Sequence, residues 1–184
     1  MPQNAPLISV CVPVFNGESY IRNCVASVLG QSERDFELLI IDNCSTDRTL
    51  EICSEFTDPR VRVLRNPRNC GSIENFNRCI QNATGELFFL LPVDDLLEND
   101  CLEVLSRGII NNPSVGIAFG SSIQIDLHGK RFGTNLVTRR TGILESEKAI
   151  KMIVEKFNPI QHPMLRSAIF PTIGKFNRRL GCFS

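Results

Sequence analysis

Short apolar runs alternate with helical stripes along the first 120 residues, and this alternation limits the possible folds more than any other feature. The runs are Leu7–Val14, Phe36–Ile41, Val61–Leu64, Leu87–Leu91 and Val115–Phe119. Between them, apolar residues recur at the spacing of one helix face, as they do from Ile21 to Leu29. Further helical stripes lie within residues 50–56, 73–83 and 101–109. Strands that alternate with helices form a mostly parallel sheet with helices on both faces, so the sequence predicts an α/β fold.

The pattern changes after Phe119, although no linker separates the two parts. Alternation around Gly129 predicts a hairpin within residues 121–137, and residues 145–157 are expected to form a helix. In residues 161–183, the apolar residues follow no clear helical or strand period. The chain stops at Ser184 without a helix cap or a polar tail, which indicates a C-terminal truncation. We therefore expect a single domain over residues 1–184 that is incomplete at its C-terminal end.

Charge is balanced overall but is unevenly distributed along the chain. The 20 basic and 20 acidic residues give a net charge of zero, which excludes a uniformly basic nucleic-acid binder. Residues 1–129 hold 9 basic and 17 acidic residues, a net of −8, whereas residues 130–184 hold 11 and 3, a net of +8. One interpretation is a solvated surface on which the charges cancel. The other is a basic C-terminal surface that faces an anionic partner, such as a lipid phosphate or a membrane.

The N-terminal residues and the cysteines indicate the cellular compartment. Residues 1–6 contain neither a basic nor an apolar run, and no segment approaches the roughly 20 apolar residues of a membrane span. We therefore expect a cytoplasmic protein. The 8 cysteines form no CxxC pair and no zinc-binding spacing. Most of them fall among apolar residues, so we interpret them as buried thiols, with a disulfide framework as the alternative.

Polar residues cluster where the predicted strands end, at Asn16, at Asp42-Asn43 and at Asp94-Asp95. Ligands bind open α/β sheets at the carboxyl ends of the strands. The adjacent carboxylates of Asp94 and Asp95 repel each other, and a divalent cation relieves that repulsion. Their oxygens suit Mg²⁺ or Mn²⁺, which in turn bind phosphate. The alternative is that Asp95 or a neighbour caps a helix over residues 97–110.

The two earlier strand ends carry groups that suit a nucleoside. Asp42 and Asn43 can hydrogen-bond to a ribose or a base edge. Ser45 or Asp47 is expected to cap the following helix, which is compatible with that role. Phe15 can stack on a base, with a core position as the alternative. No glycine-rich phosphate loop is present, so phosphate binding would need a metal.

These motifs together resemble the inverting nucleotide-sugar glycosyltransferases of family 2, which have the GT-A fold. The resemblance covers residues 8–100 and lies in ISVCVPVFNGESYIRNCVASVLGQSERDFELLIIDNCSTDRT and in LRNPRNCGSIENFNRCIQNATGELFFLLPVDDLLEND. The later PMLRSAIFPTIGKFNRRLG is similar to the acceptor-side region of the family. The resemblance implies a Rossmann-like domain whose residues 1–120 bind the nucleotide sugar. Residues 121–184 would begin an acceptor-side half that is incomplete.

The family's site residues can be matched to positions in this chain. Donor-binding positions, including Asn16 from the strand-end pattern, are Pro13, Phe15, Asn16, Glu18, Asp42, Asn43, Asn77 and Asp94. The resemblance implies that Pro13 and Phe15 line the base pocket, and that Asp95 brings Mn²⁺ or Mg²⁺ to the diphosphate. It also implies that Asp42 and Asn43 read the base, where the Asn43 amide oxygen can accept from a pyrimidine N3–H. Asn77 is either a structural residue or a donor contact. Pro92 stands where the family often has the first aspartate of a triplet, and a ribose contact is then lost.

The implied reaction transfers a sugar from a UDP or dTDP sugar to an acceptor hydroxyl, with inversion and metal assistance. The acceptor would be a saccharide or a lipid-linked glycan in surface polysaccharide synthesis, at the inner face of the membrane. The general base is expected beyond Ser184. His162 is the other candidate for this role, but a histidine that precedes a proline is more typical of a structural loop residue. The alternative is a nucleotide-binding domain without transferase activity. A nucleotidyltransferase is disfavoured because the first loop, VFNGES, has no Lys or Arg.

Overall fold

A computed structural model describes residues 5–126, 128–135, 142–147 and 162–177. The strands are β1 Ile8–Val14, β2 Phe36–Asp42, β3 Val61–Arg65, β4 Leu87–Leu90, β5 Ile117–Ala118, β6 Ser122–Ile125, β7 Arg131–Asn135 and β8 Met164–Arg166. The helices are α1 Ile21–Leu29, α2 Thr49–Ser54, α3 Ser72–Asn82, α4 Cys101–Ile110 and α5 Phe170–Ile173, with a 3₁₀ turn at Ser167–Ile169. In these ranges, no helix has the length and apolar character that a membrane crossing requires.

Six strands form the central sheet in the order β3-β2-β1-β4-β8-β5. Strands β1 to β4 pair in parallel, and β8 lies antiparallel between β4 and β5. The pairing of β1 with β2 runs in register from Ile8↔Phe36 to Val14↔Asp42. The two strands therefore end at the same edge of the sheet. This topology confirms the predicted mostly parallel α/β sheet.

Helices cover both faces of the sheet, as the sequence predicts. On one face, Val10 and Val12 of β1 belong to a core that includes buried residues of α1, α2 and α4. On the other face, Cys11 packs with Cys79 of α3 and with Phe170 of α5. Because both faces are covered, the central strands are largely apolar on both faces and do not alternate regularly with polar residues.

The structure departs from the predicted elements mainly after residue 115. Strand β5 has two residues, whereas Val115–Phe119 was expected to be extended. The predicted hairpin is present as β6 and β7, with Gly129 in its turn at φ 76°. Residues 161–183, which show no period, contain β8 and α5. Strand β8 has only three residues, which is too short for a periodic pattern. The predicted helix over residues 145–157 lies almost entirely outside the described residues.

Gly85 follows the helical stripe of residues 73–83, a position typical of a C-terminal helix cap, but it does not cap α3. Helix α3 ends at Asn82 and is followed by Ala83 in an extended conformation. Gly85 instead lies against β1, where a Cβ atom would be 2.6 Å from the backbone nitrogen of Ser9. The amide of Gly85 donates to Ser9 Oγ over 2.8 Å, and Ser9 Oγ donates to buried Glu37. The residue is a glycine because two backbones touch there.

We expect Gly85→Ala to destabilise the fold by about 1–3 kcal/mol, because the added methyl group would lie within 2.9 Å of the β1 backbone and of Ser9 Oγ. Urea unfolding followed by circular dichroism measures the change. Gly108→Ala is the matched control. Gly108 lies within α4, and its added Cβ would be 4.0 Å from the Cβ of Ala118, which is an ordinary contact. That variant should be neutral or up to about 1 kcal/mol more stable. Equal urea midpoints for wild type and Gly85→Ala would contradict this account.

The cysteines that lie within the predicted strands and helical stripes are thiols that form no disulfide with one another, as predicted. Cys11, Cys24, Cys53 and Cys79 are buried, and Cys101 is half-buried. Burial raises the pKa of Cys53 and of Cys101 to about 11. These thiols therefore remain protonated at neutral pH and pack as small apolar side chains.

Candidate functional site

The carboxyl ends of β1, β2 and β4 bring three loops together at one edge of the sheet. The loop after β1 packs against the loop after β4, since a Cβ at Gly17 would lie 2.6 Å from Val14 and 3.1 Å from Val93. Asn43 donates its backbone amide to the carbonyl of Val14 over 2.7 Å, which joins the loop after β2 to the end of β1. The polar residues at these strand ends are therefore close neighbours, as expected for a parallel sheet.

A cavity of about 270 Å³ lies between the end of β1, the loop after β2 and the segment that leads into α3. Its lining residues are Pro13, Val14, Phe15, Asn43, Asn69, Gly71, Ser72, Asn75 and Phe76. Phe15 is 46% exposed, so the alternative of a core phenylalanine is wrong. Three residues that the sequence predicts for donor binding, Pro13, Phe15 and Asn43, therefore share one cavity wall.

Asn43 is held in one orientation by its neighbours. Its Oδ1 accepts from the backbone amide of Cys70 over 3.0 Å and from Asn66 Nδ2 over 2.9 Å. A backbone amide can only donate, so the atom that faces it must be the oxygen. Asn43 Nδ2 donates to Asn69 Oδ1 over 2.9 Å. The amide oxygen that was expected to meet a pyrimidine N3–H is thus already engaged within the protein.

Two further asparagines extend this network beneath the cavity. Asn66 Nδ2 also donates to Asn75 Oδ1 over 2.9 Å, and Asn75 Nδ2 donates to the carbonyl of Ile41 over 3.0 Å. Asn69 Oδ1 also accepts from the amide of Gly71, whose φ is 83°. We call Asn43, Asn66, Asn69 and Asn75 the asparagine network. Sequence reasoning missed the last three, although all of them lie in the second stretch that resembles the family.

Asp42 is fully buried beneath the loops and does not line the cavity. Its carboxylate accepts from the amide of Ser45 over 3.1 Å and lies 3.5 Å from Arg65 Nε. In this structure the side chain holds the turn after β2 and faces Arg65. Its predicted contact with a base stays a prediction.

Asn16 and Glu18 connect the loop after β1 to the loop after β2. Asn16 Oδ1 accepts from the amide of Thr46 over 2.8 Å, and the backbone of Asn16 has a left-handed φ of 52°. Glu18 Oε2 accepts from the amide of Arg48 over 3.0 Å. Both side chains brace the loops that form the cavity, and their predicted donor contacts stay untested.

Of the two expected helix caps, Ser45 does not contact α2, whereas Asp47 binds the backbone amide at its first residue. Helix α2 begins at Thr49, after Arg48, whose own side chain makes no capping hydrogen bond. Ser45 Oγ accepts from the amide of Asn16 over 2.9 Å, whereas Asp47 accepts from the amide of Thr49 over 3.0 Å. Desolvation alone would raise the pKa of Asp47, but its hydrogen bonds from Thr49 and Glu18 outweigh that effect and hold the pKa below its usual value. Both side chains therefore accept hydrogen bonds from the loop after β1, and Asp47 also accepts one from the start of α2.

Asn77 lies on α3 away from the cavity and binds the segment that follows α5. Its Nδ2 donates to the carbonyl of Phe176 over 3.1 Å, and its Oδ1 accepts from the amide of Phe176 over 2.9 Å. The ring of Phe176 meets Phe76 edge to face at 5.6 Å. Of the two roles expected for Asn77, these contacts supply the structural one.

Asp94 and Asp95 stand in an exposed turn after β4, in which the amide of Asp95 donates to the carbonyl of Pro92 over 3.1 Å. The alternative that they cap a helix is wrong, because α4 begins at Cys101 after Asp100 and has no side-chain cap. Asp95 Oδ2 lies 3.0 Å from His162 Nε2. Burial, followed by the negative charge of Asp95 and then Asp94, raises the pKa of the neighbouring Cys24 thiol to about 12.

The donor set at this turn fits a divalent cation. The side chain of Asp95 is 46% exposed and Asp94 is also exposed, so their oxygens are accessible to an ion. Carboxylate oxygens are the ligands that Mg²⁺ and Mn²⁺ prefer. Within the described ranges, no group of three or more His, Cys, Asp or Glu side chains is arranged to hold a metal. A cation here would therefore need further ligands besides these two carboxylates, such as phosphate oxygens and water.

Similar proteins agree with this architecture. The family "Glycosyl transferase family 2" matches residues 9–170. The putative teichuronic acid biosynthesis glycosyltransferase TuaG of Bacillus subtilis is 37% identical over 100 residues, which cover 53% of this chain and 40% of TuaG. The chain spans 35% to 52% of the length of several curated relatives that it matches.

Two solved structures are similar in fold. The structure of S. aureus TarS residues 1–349 in complex with UDP matches with a TM-score of 0.74 and 22% identity, covering 95% of this chain and 51% of that one. The mannosyltransferase PcManGT from Pyrobaculum calidifontis, in complex with GDP-Man and Mn²⁺, matches with a TM-score of 0.65 and 16% identity, covering 96% and 49%. With the six-stranded sheet, these matches confirm the GT-A fold. Because the family match extends over most of the sequence, the chain belongs to glycosyl transferase family 2.

Proposed function

We propose that the protein takes part in transferring a sugar from a UDP or dTDP sugar to an acceptor hydroxyl, with inversion. The observation that carries the proposal is the position of the cavity. It has an exposed aromatic wall and an asparagine network, and it opens at the same sheet edge as two exposed carboxylates. Family membership supports the transfer of a sugar, and the TarS complex with UDP supports a nucleotide donor.

We place the base of the donor against Phe15 in the cavity. An exposed ring at a cavity wall can stack on any base. Asn69 Oδ1 already accepts from Asn43 and from Gly71, so the amide of Asn69 meets a ligand through its Nδ2 donor. Such a donor suits the carbonyl oxygens of a pyrimidine, which uracil and thymine share. This network therefore supports UDP and dTDP equally, with Asn69 added to the predicted residues.

We assign the diphosphate to the turn after β4, with Asp95 as the cation ligand and Asp94 near the ribose. A bound Mn²⁺ or Mg²⁺ would neutralise the charge that develops on the departing diphosphate. In the reaction, the acceptor oxygen bonds to the anomeric carbon while the bond from that carbon to the diphosphate breaks. The acceptor proton passes to a carboxylate base. We assign that base to no described residue, and the expectation that it lies beyond Ser184 stays a prediction.

For the acceptor we propose a saccharide or a lipid-linked glycan in polysaccharide synthesis, since TuaG is a putative teichuronic acid biosynthesis glycosyltransferase. Peripheral membrane association through basic residues 130–184 also stays a prediction. Within the described part of that region, Arg131 pairs with Glu98 at 2.7 Å and Arg166 pairs with Glu86 at 3.2 Å. Each of these two arginines is thus paired with a glutamate of the same chain. Most of the other basic residues lie outside the described ranges.

A nucleotide screen by thermal unfolding tests the proposal. UDP and dTDP should raise the unfolding temperature in the presence of Mn²⁺, and EDTA should remove most of that rise. A ligand at a free concentration of about 100 times its Kd raises the free energy of unfolding by roughly 2.7 kcal/mol. ADP and CMP are the comparison ligands. If no nucleotide stabilises the protein, with or without Mn²⁺, the donor-site assignment fails. Binding of UDP together with no transfer to any acceptor would favour the non-catalytic nucleotide-binding alternative.

A further inference from the structure

We propose that His162 is a second protein ligand of the divalent cation, alongside Asp95. This inference rests on the proposed function, since it assigns a further residue to the same site. The contact between the two side chains carries it: His162 Nε2 lies 3.0 Å from Asp95 Oδ2. The two residues are far apart in the sequence, and the fold alone brings them together.

The sheet explains how His162 reaches the turn after β4. Strand β8 runs antiparallel beside β4, with Met164 opposite Phe89. The residues just before β8 therefore lie beside the residues just after β4. The side chain of His162 is 28% exposed and that of Asp95 is 46% exposed, so an ion from solvent can reach both atoms.

The separation of the two atoms suits a shared cation. Two adjacent ligands of an octahedral ion, each about 2.1 Å from it, lie about 3.0 Å apart. The imidazole presents Nε2 to the carboxylate, and a ring nitrogen is the atom through which histidine binds metals. An ion that contacts both atoms can therefore bind here without a large movement of either side chain.

The backbone of His162 provides an independent reason to expect a function. Its φ of 48° is in the left-handed region, which non-glycine residues seldom adopt. Pro163 follows directly, and a residue before proline favours an extended conformation. Backbone conformations of this kind persist where the surrounding structure holds them, and they cluster at ligand sites. Here that conformation accompanies the contact of the imidazole with Asp95.

A nitrogen ligand would also affect the choice of metal. Mg²⁺ prefers oxygen ligands, whereas imidazole binds transition metals more strongly. The proposal therefore predicts that the site binds Mn²⁺ in preference to Mg²⁺. Replacing the imidazole by an oxygen ligand, as in His162→Asp, should retain cation binding and reduce that preference.

Electron spin-echo spectroscopy of Mn²⁺ tests the proposal directly, because it detects a nitrogen bonded to the ion. The chain has only 2 histidines, and the other, His128, lies exposed in the β6–β7 turn. The protein with Mn²⁺ and UDP should show the signal of a bound nitrogen. His162→Gln should abolish the signal and weaken Mn²⁺ binding at least about 10-fold, whereas His128→Gln should change neither.

The outcomes separate this inference from the proposed function. Calorimetry of UDP with and without Mn²⁺ shows whether a cation takes part in donor binding at all. If it does not, the metal assignment within the proposed function fails. If UDP binding depends on Mn²⁺ and the wild-type protein shows no bound nitrogen, the role of His162 is overturned while the donor site stands. That decisive measurement is made on the unaltered protein, so it does not depend on any variant folding.

Discussion

Asp95→Ala is expected to abolish the Mn²⁺-dependent part of UDP binding and to lower sugar transfer about 10²-fold or more. The proposed cation at Asp95 stabilises charge on the departing diphosphate, and this charge develops as the bond breaks. Losing it therefore raises the barrier and does not merely weaken binding. The fold should be nearly unaffected, because the Asp95 side chain is 46% exposed and, among the described residues, its carboxylate is paired with His162 at the surface.

Calorimetry with UDP, in Mn²⁺ and in EDTA, measures the first effect, and product formation from a UDP sugar measures the second. Asp100→Ala is the matched control, since Asp100 is an exposed carboxylate of the same loop and makes no capping hydrogen bond to α4. That variant should behave as wild type in both assays. An Asp95→Ala protein whose UDP affinity still rises with Mn²⁺ would refute the assignment of Asp95 to the metal.

Asn75→Leu is expected to destabilise the protein by about 2–4 kcal/mol and to weaken UDP binding. Leucine has a similar size but removes both hydrogen bonds of the Asn75 side chain, one with Asn66 Nδ2 and one with the carbonyl of Ile41. Asn75 is only 3% exposed, so water cannot readily replace these partners. An unpaired buried polar group costs about 1–3 kcal/mol. The remaining asparagine network would then hold the loop around Asn69 less firmly.

Urea unfolding gives the stability change, and the UDP titration gives the effect on the cavity. Asn82→Ala in the same helix serves as the comparison, because Asn82 Nδ2 donates only to the carbonyl of Arg78 within α3. We expect that variant to lose less than about 1 kcal/mol and to bind UDP normally. Similar losses for the two variants would show that the network has no special role in stability.

Most of the fold could be predicted because its signals are local. Apolar runs such as Phe36–Ile41 and helical stripes such as that of α1 depend on residues that are near one another in sequence. Strand β8 and the two-residue β5 could not be predicted with correct bounds. Strand β8 is extended because it pairs with β4, and β5 because it pairs with β8, in both cases over long sequence separations. A strand of three or fewer residues is also too short to show a periodic pattern of apolar residues.

The candidate site was predictable in location and less so in the roles of its residues. The strand-end rule placed Phe15, Asn43 and Asp95 at one edge of the sheet, and the structure agrees. It did not distinguish side chains that line the cavity from those that brace its loops. Asp42 and Asn16 are polar residues at strand ends, but their side chains are engaged by neighbouring loops.

The sequence by itself determined a layered α/β sheet, the edge at which a ligand would bind and the adjacent carboxylates at that edge. All of these follow from residue types and spacings within short segments. Only the tertiary structure decided that Asn43 has a fixed amide, that Asn75 supports it, and that His162 meets Asp95. Such contacts join residues whose distance along the chain gives no indication of their distance in space. They arise because the sheet pairs strands in an order different from that of the chain.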